Sequence, residues 1–134
     1  MTLRLPQRCL DRMKAAGAAA YPHEACGLLV GEGEEVLEVV PADNVADQPG
    51  KAFEIDPEVL LHWQKKLRGS AQRILGHYHS HPDHPADPSK RDRARIYEDG
   101  LVWAILSVTE DGAGEINFYR AGQGDFTPLE VSVF

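Results

Sequence analysis

The segment GHYHSHPDHPADPSKRD, residues 76 to 92, constrains this chain more than any other. Its first half alternates, so an extended strand puts His77, His79 and His81 on one face. Its second half cannot continue that strand. Pro82, Pro85 and Pro88 lack the N–H that a sheet ladder needs, and each holds the residue before it extended. Ser89 and Asp92 then stand three apart at a helix start, both projecting from nearly the same side of its first turn. If that turn packs over the strand end, two imidazoles and a carboxylate converge and leave one position for water. Three protein ligands plus water make a catalytic zinc site, whereas structural sites are closed by four ligands, usually including cysteine. Neither Cys9 nor Cys26 has the spacing of such a structural site.

The remaining sequence surrounds this segment with alternating elements. Residues 6 to 20 read as a helix, with Pro6 suited to its first turn and Leu10, Met13, Ala16 and Ala20 at helical spacing. GLLVG (27 to 31) and EVLEVV (35 to 40) read as strands joined by a Gly-containing turn, and PADNVADQPG (41 to 50) as a surface loop. A second helix is expected over 56 to 69, capped by Asp56, with Pro57 just inside and Gly69 after its end. An apolar segment at 73 to 78 leads into the histidine run, and a third helix is expected from about Ser89 to Glu98. Strands are expected at 101 to 108, 114 to 120 and 129 to 134. The pattern is that of an α/β or α+β fold, one mixed sheet flanked by helices. With 134 residues, one core and one domain (1–134) are expected.

Composition excludes some functions. A net charge of −7 argues against binding nucleic acid, which needs clustered Lys and Arg. No apolar run reaches membrane-spanning length, the first residues lack a signal-peptide core, and two cysteines imply no disulfide framework. A cytoplasmic protein is expected.

Each half of the candidate site has a bland counterpart. A histidine-rich loop binds metal adventitiously, and Ser89-x-x-Asp92 by itself is a capping-box pattern with Asp in place of the usual Glu or Gln. The two together, at this spacing, favour a site. Strand parity also admits His77 as a ligand, and His84 is another candidate.

The run His79-Ser80-His81, seven residues, Ser89, two residues, Asp92 resembles the JAMM motif of the MPN+ metalloproteases. HEACGLLVG, residues 23 to 31, is similar to the family segment carrying the catalytic glutamate, here Glu24. The resemblance implies that His79, His81 and Asp92 bind Zn2+, that Glu24 is the general acid and base, and that Ser89 stabilises the developing oxyanion. It implies the compact JAMM fold, similar to that of cytidine deaminases, and gives His77, His84 and Cys26 no role. For a minimal prokaryotic type it implies hydrolysis of a peptide or isopeptide bond at the tail of a ubiquitin-like sulfur-carrier protein. Such a tail suits a groove beside an edge strand. Lys90, Arg91, Arg93 and Arg95 read either as a receiver for a substrate carboxylate or as a solvated basic face.

Competing readings are a deubiquitinase-like isopeptidase, a non-haem Fe(II) oxygenase built on two histidines and a carboxylate, and a non-catalytic scaffold. An intact set of five motif residues argues against the scaffold, and the Glu24–Ser89 pair favours hydrolysis. A deaminase would need H-x-E and P-C-x-x-C elements that are absent.

Overall fold

The computed structural model describes residues 2–134. In chain order the elements are β1 (Thr2–Leu5), α1 (Gln7–Ala20), β2 (Cys26–Glu32), β3 (Glu35–Ala42), α2 (Pro57–Leu67), β4 (Arg73–Pro82), α3 (Lys90–Ala94), β5 (Val102–Thr109), β6 (Gly112–Gly122), β7 (Asp125–Pro128) and β8 (Glu130–Val133). The strands form one sheet in the order β7-β6-β5-β4-β2-β3-β1-β8. It is mixed: β4 runs parallel to β5, and β1 runs parallel to β3 and β8, while the other pairs are antiparallel.

The two faces of the sheet are covered differently. On one lies α1, whose Cys9, Met13 and Gly17 recur every four residues and are buried. They pack with Leu3, Leu5, Leu29, Tyr78 and Phe118 in the largest apolar cluster, although Gly17 itself serves by being small. A Cβ there would stand 2.4 Å from a Leu106 methyl, so glycine lets the helix approach the sheet. The opposite face carries His77, His79 and His81 of β4, with Phe53 and Trp103 packed against the first two rings and Ile105 and Ala86 in an adjoining apolar cluster. This second face is the one that matters for chemistry.

Two short strands lie outside the sequence expectations, β1 and β7, and the third helix is shorter than expected. It ends at Ala94 rather than near Glu98, and Arg95 leaves helical geometry with φ −105° and ψ 12°. The departure lets the Arg95 guanidinium reach the Phe53 carbonyl and lets Ile96 pack into the Trp103 cluster. A continued helix would carry both away. By contrast α2 follows its signals: Asp56 accepts from the Glu58 N–H at 2.9 Å, Pro57 opens the helix, and Gly69 lies beyond its end at φ +78°.

Candidate active site and metal centre

β4 sits at the centre of the sheet, between β2 and β5, and its register sets the site. Cys26 pairs with His79 on one side and Ile105 pairs with His79 on the other. That pairing holds the histidine-bearing end of the strand from both flanks. Strand alternation then turns His79 and His81 to the same face, where their Nε2 atoms lie 3.0 Å apart. Asp92, on the first turn of α3, completes the group: Oδ1 is 3.2 Å from His79 Nε2 and Oδ2 is 3.2 Å from His81 Nε2. All three side chains are buried.

The donor chemistry fits a metal cation. His81 Nδ1 donates to the Pro85 carbonyl at 2.9 Å, so a neutral His81 presents a lone pair at Nε2. That lone pair faces the Nε2 of His79 and a carboxylate that can only accept. With His79 in the tautomer that leaves Nε2 unprotonated, three acceptors converge in a buried space, and a cation between them satisfies all three. Two atoms each bonded to one tetrahedral zinc at about 2.0–2.1 Å would lie about 3.3 Å apart. The observed 3.0 to 3.2 Å separations are close to that. Among the described residues, no other group of His, Cys, Asp or Glu side chains converges in this way.

Electrostatics follow from burial and from these contacts. Burial would raise the Asp92 carboxyl, but the contacts from His79 and His81 outweigh it and hold the group well below the usual carboxylate range. Burial lowers His79 despite the opposing pull of Asp92. It also works to lower His81, but there the bonds to Asp92 and the Pro85 carbonyl prevail and the imidazole is raised. Glu24, just before β2, is buried, and burial pushes its carboxyl up to about 7, with His81 opposing and Asp92 reinforcing the shift. Glu24, His81, Ser89 and Asp92 all line a narrow recess of about 20 Å³, the size of one water molecule. The recess adjoins an open cleft of about 620 Å³ whose walls include Glu24, Lys51, His81, His84, Ser89 and Lys90.

Ser89 has a structural task as well. Its Oγ accepts from the Asp92 N–H at 3.0 Å, and the Asp92 carboxylate accepts from the Ser89 N–H at 2.9 Å. The capping box is therefore formed, and it aims Asp92 at the histidines. The Ser89 hydroxyl proton is left free to donate into the cleft.

Other sequence candidates fall elsewhere. His77 lies on the same face but in a different environment, its ring 4.3 Å from that of Trp103 and bordering a separate cavity under α2. Burial depresses its imidazole to about 3, and it stands outside the converging group. His84 is exposed on the cleft wall. Cys26 is buried and its thiol is pushed up to about 12, which leaves it inert as a nucleophile. In the basic run Lys90, Arg91 and Arg93 are exposed, and Lys90 and Arg91 line the cleft. Arg91 donates to the Lys51 carbonyl, Arg95 to the Phe53 carbonyl, and Arg93 to Asp125 and the Pro88 carbonyl, so three of the four tie down loops. β2, β4 and β5 are internal strands of a sheet whose edges are β7 and β8, and the β2–β4 ladder stops at Cys26 and His79, short of His81.

Three residues that sequence reasoning missed organise the site. Ser80 sits between the histidines and points to the other face, where its Oγ accepts from the Ala25 N–H at 2.7 Å. Asn44 donates to the Glu24 and Ala52 carbonyls at 3.0 and 2.9 Å, and accepts from the N–H groups of Ala46 and Glu54. Phe53 packs on His79. A lone Asn inside a turn-rich loop was the only available signal.

Residues 6–122, which span Glu24, both histidines and Asp92, match the family described as prokaryotic homologs of the JAB domain. The chain belongs to this family. As a JAB-domain protein it is 34% identical over 126 residues to a desampylase of Haloferax volcanii, covering 92% of this chain and 88% of that one. It is 38% identical over 92 residues to a probable TtuB-protein conjugate cleaving protease of Thermus thermophilus, over 69% of this chain and 62% of that protein. Among solved structures, one of a Desulfitobacterium hafniense protein superposes with a TM-score of 0.85 at 28% identity, covering 99% of this JAB-domain chain and 93% of the other.

Proposed function

We propose that this JAB-domain protein is a zinc-dependent peptidase that hydrolyses peptide or isopeptide bonds at the C-terminal tail of a ubiquitin-like sulfur-carrier protein. The observation that carries the reading is a buried carboxyl, Glu24, lining the same one-water recess as His81 and Asp92 of the three-donor group. In this reading His79, His81 and Asp92 hold zinc, which when bound supplies a Lewis acid that polarises a carbonyl and acidifies water. Glu24, held near neutrality by its burial, takes a proton from the attacking water and passes it to the departing amine. Ser89 donates its hydroxyl where negative charge develops on the carbonyl oxygen. The whole chain, 1–134, acts as one metalloprotease domain in the cytoplasm. Two free thiols, Cys9 and Cys26, support that compartment.

The names of the relatives favour the isopeptide form of the reaction, since one is described as cleaving protein conjugates. The test compares three substrates by mass spectrometry. These are a sulfur carrier extended past its terminal diglycine, the same carrier joined to a lysine of a second protein, and an unrelated unfolded peptide with the same last residues. Cleavage at the diglycine end is expected for the first two. The third should react far more slowly, because it lacks the folded surface whose binding energy places the bond. Glu24→Gln should keep one zinc per chain and lose on the order of a hundredfold or more in turnover. Near-normal turnover by that variant would remove Glu24 from the mechanism, and inertness of both carrier substrates would remove the substrate class.

A further inference from the structure

We propose that Phe53 is the positioning residue of the metal ligand His79, its stacked ring serving where His81 has a hydrogen bond. The inference rests on the ligand reading above. A metal-binding histidine is ordinarily oriented through its second ring nitrogen, which donates to a carbonyl or carboxylate and fixes both tautomer and ring plane. His81 follows that rule through Pro85. His79 does not: its Nδ1 is buried and has no hydrogen-bond partner among the described residues. Something else must keep the His79 ring from turning about its Cβ–Cγ bond.

Two aromatic walls do so. The Phe53 ring lies 4.3 Å from the His79 ring, centroid to centroid, at an interplanar angle of 16°. The Trp103 ring stands 5.8 Å away at 83°, presenting an edge. Rotation of the imidazole out of its plane would drive an edge into the face of Phe53. The stack therefore fixes the direction in which Nε2 points, without any polar contact.

Phe53 is itself held from several sides. Asn44 brackets it, donating to the carbonyl of Ala52 and accepting from the N–H of Glu54, and the same amide donates to the carbonyl of Glu24. Arg95 donates to the Phe53 carbonyl, and its guanidinium carbon lies 5.3 Å from the centre of the Phe53 ring. Arg95 stands three residues after Asp92. A continuous chain of contacts thus runs from the helix that carries the carboxylate ligand, through Arg95 and Phe53, to the strand that carries His79. The loop from Asp43 to Asp56 is the part that makes this circuit.

The test is zinc affinity measured without substrate, by competition with a chromogenic chelator, with the visible absorption of the cobalt-substituted protein as a second readout. Phe53→Leu fills much of the space but cannot stack, and should weaken zinc binding about tenfold or more. It should also alter the cobalt spectrum. Phe53→Tyr keeps the ring and should bind zinc within about threefold of the parent, with the parent's cobalt spectrum. Arg95→Gln, which leaves the apolar cluster intact, should weaken binding several-fold, and it supplies the decision should Phe53→Leu fail to fold. Parent-like affinity in Phe53→Leu, equal losses in the Leu and Tyr variants, or parent-like affinity in Arg95→Gln when Phe53→Leu does not fold would each overturn the inference. If the parent chain itself binds no zinc, the ligand reading falls and this inference with it; if the parent binds and Phe53→Leu binds equally well, only the inference falls.

Discussion

Ser80 lies between His79 and His81 in sequence, yet its hydroxyl is on the opposite face, fully buried, accepting from the Ala25 N–H at 2.7 Å. The Ser80 N–H in turn donates to the Ala25 carbonyl at 3.0 Å. Ala25 follows Glu24 directly, so this reciprocal pair sets the carboxyl relative to the donors on β4. Ser80→Ala leaves a buried amide without its partner, and should cost about 1–3 kcal/mol in urea unfolding of the metal-free protein. A loss below about 0.5 kcal/mol would mean that the bond is replaceable. Glu24 makes a pH-dependent prediction of the opposite kind. Its folded value, about 7, lies above the ordinary 4.5, so between those values the folded chain binds a proton that the unfolded chain has released. Stability therefore falls as pH rises through that window, and the penalty is complete above it. Metal-free Glu24→Gln should be more stable than the parent at pH 8, by a difference on the order of 3 kcal/mol or less, and equal to it near pH 4. An advantage for the parent at pH 8 would refute burial as the dominant influence. Spacing singled out the strand histidines and the Ser89-x-x-Asp92 pair but left His77 and His84 open as ligands, and Glu24 was marked only by the likeness of residues 23 to 31 to a family segment. Ser80, Asn44 and Phe53 could not be read at all, because a serine, an asparagine and a phenylalanine are common everywhere and act here only through tertiary contacts.

At the scale of elements, the legible parts were those with local signals. α2 has a cap, an N-terminal proline and a terminal glycine, and its expected span of 56 to 69 encloses the observed Pro57–Leu67. β5 and β6 likewise overlap their expected ranges. The missed strands have non-local causes. β1 has four residues and pairs in parallel with β8, more than a hundred positions away, so no neighbouring turn announces it. β7 has four residues, one of them Pro128, and is paired on a single side at the sheet edge. The end of α3 was misjudged because the residues after Ala94 look helical but are claimed by the Phe53 carbonyl and the Trp103 cluster. The elements also differ in how much they bear. No side chain of α2 is buried, and Leu61 is half exposed. Asp56→Ala should therefore cost about 1 kcal/mol, the ordinary price of a lost cap. Gly76 in β4 is the reverse case. A Cβ there would stand 1.8 Å from the Val102 carbonyl oxygen, a backbone atom of the parallel neighbour that cannot yield alone. Gly76→Ala should cost about 3 kcal/mol or more and loosen the strand that carries both histidines. Comparable melting temperatures for these two variants would contradict the ranking.

For the whole molecule the question is whether metal makes the fold or only occupies it. Small zinc modules are unfolded without their ion, because their ligands are joined by little else. Here the ligands belong to parts already secured. β4 is paired on both sides, the large apolar cluster lies on the other face of the sheet, and α3 is tied by its capping box, by Arg93 to Asp125 and by Arg95 to the Phe53 carbonyl. Removing the cation leaves Asp92 accepting from the Ser89 N–H, with the two imidazoles as its remaining neighbours. The chelated protein should thus keep its far-ultraviolet circular dichroism at 25 °C. Zinc bound only by the folded state still adds RT ln(1 + [Zn]/Kd), about 4 kcal/mol at a thousandfold excess over Kd, so chelation should lower the melting temperature by on the order of 10 °C. His79→Ala, His81→Ala and Asp92→Ala should abolish that zinc-dependent shift, whereas His77→Ala and His84→Ala should keep it. Loss of the dichroism signal on chelation would place the metal among the determinants of folding. A shift retained by His81→Ala would dissolve the ligand group.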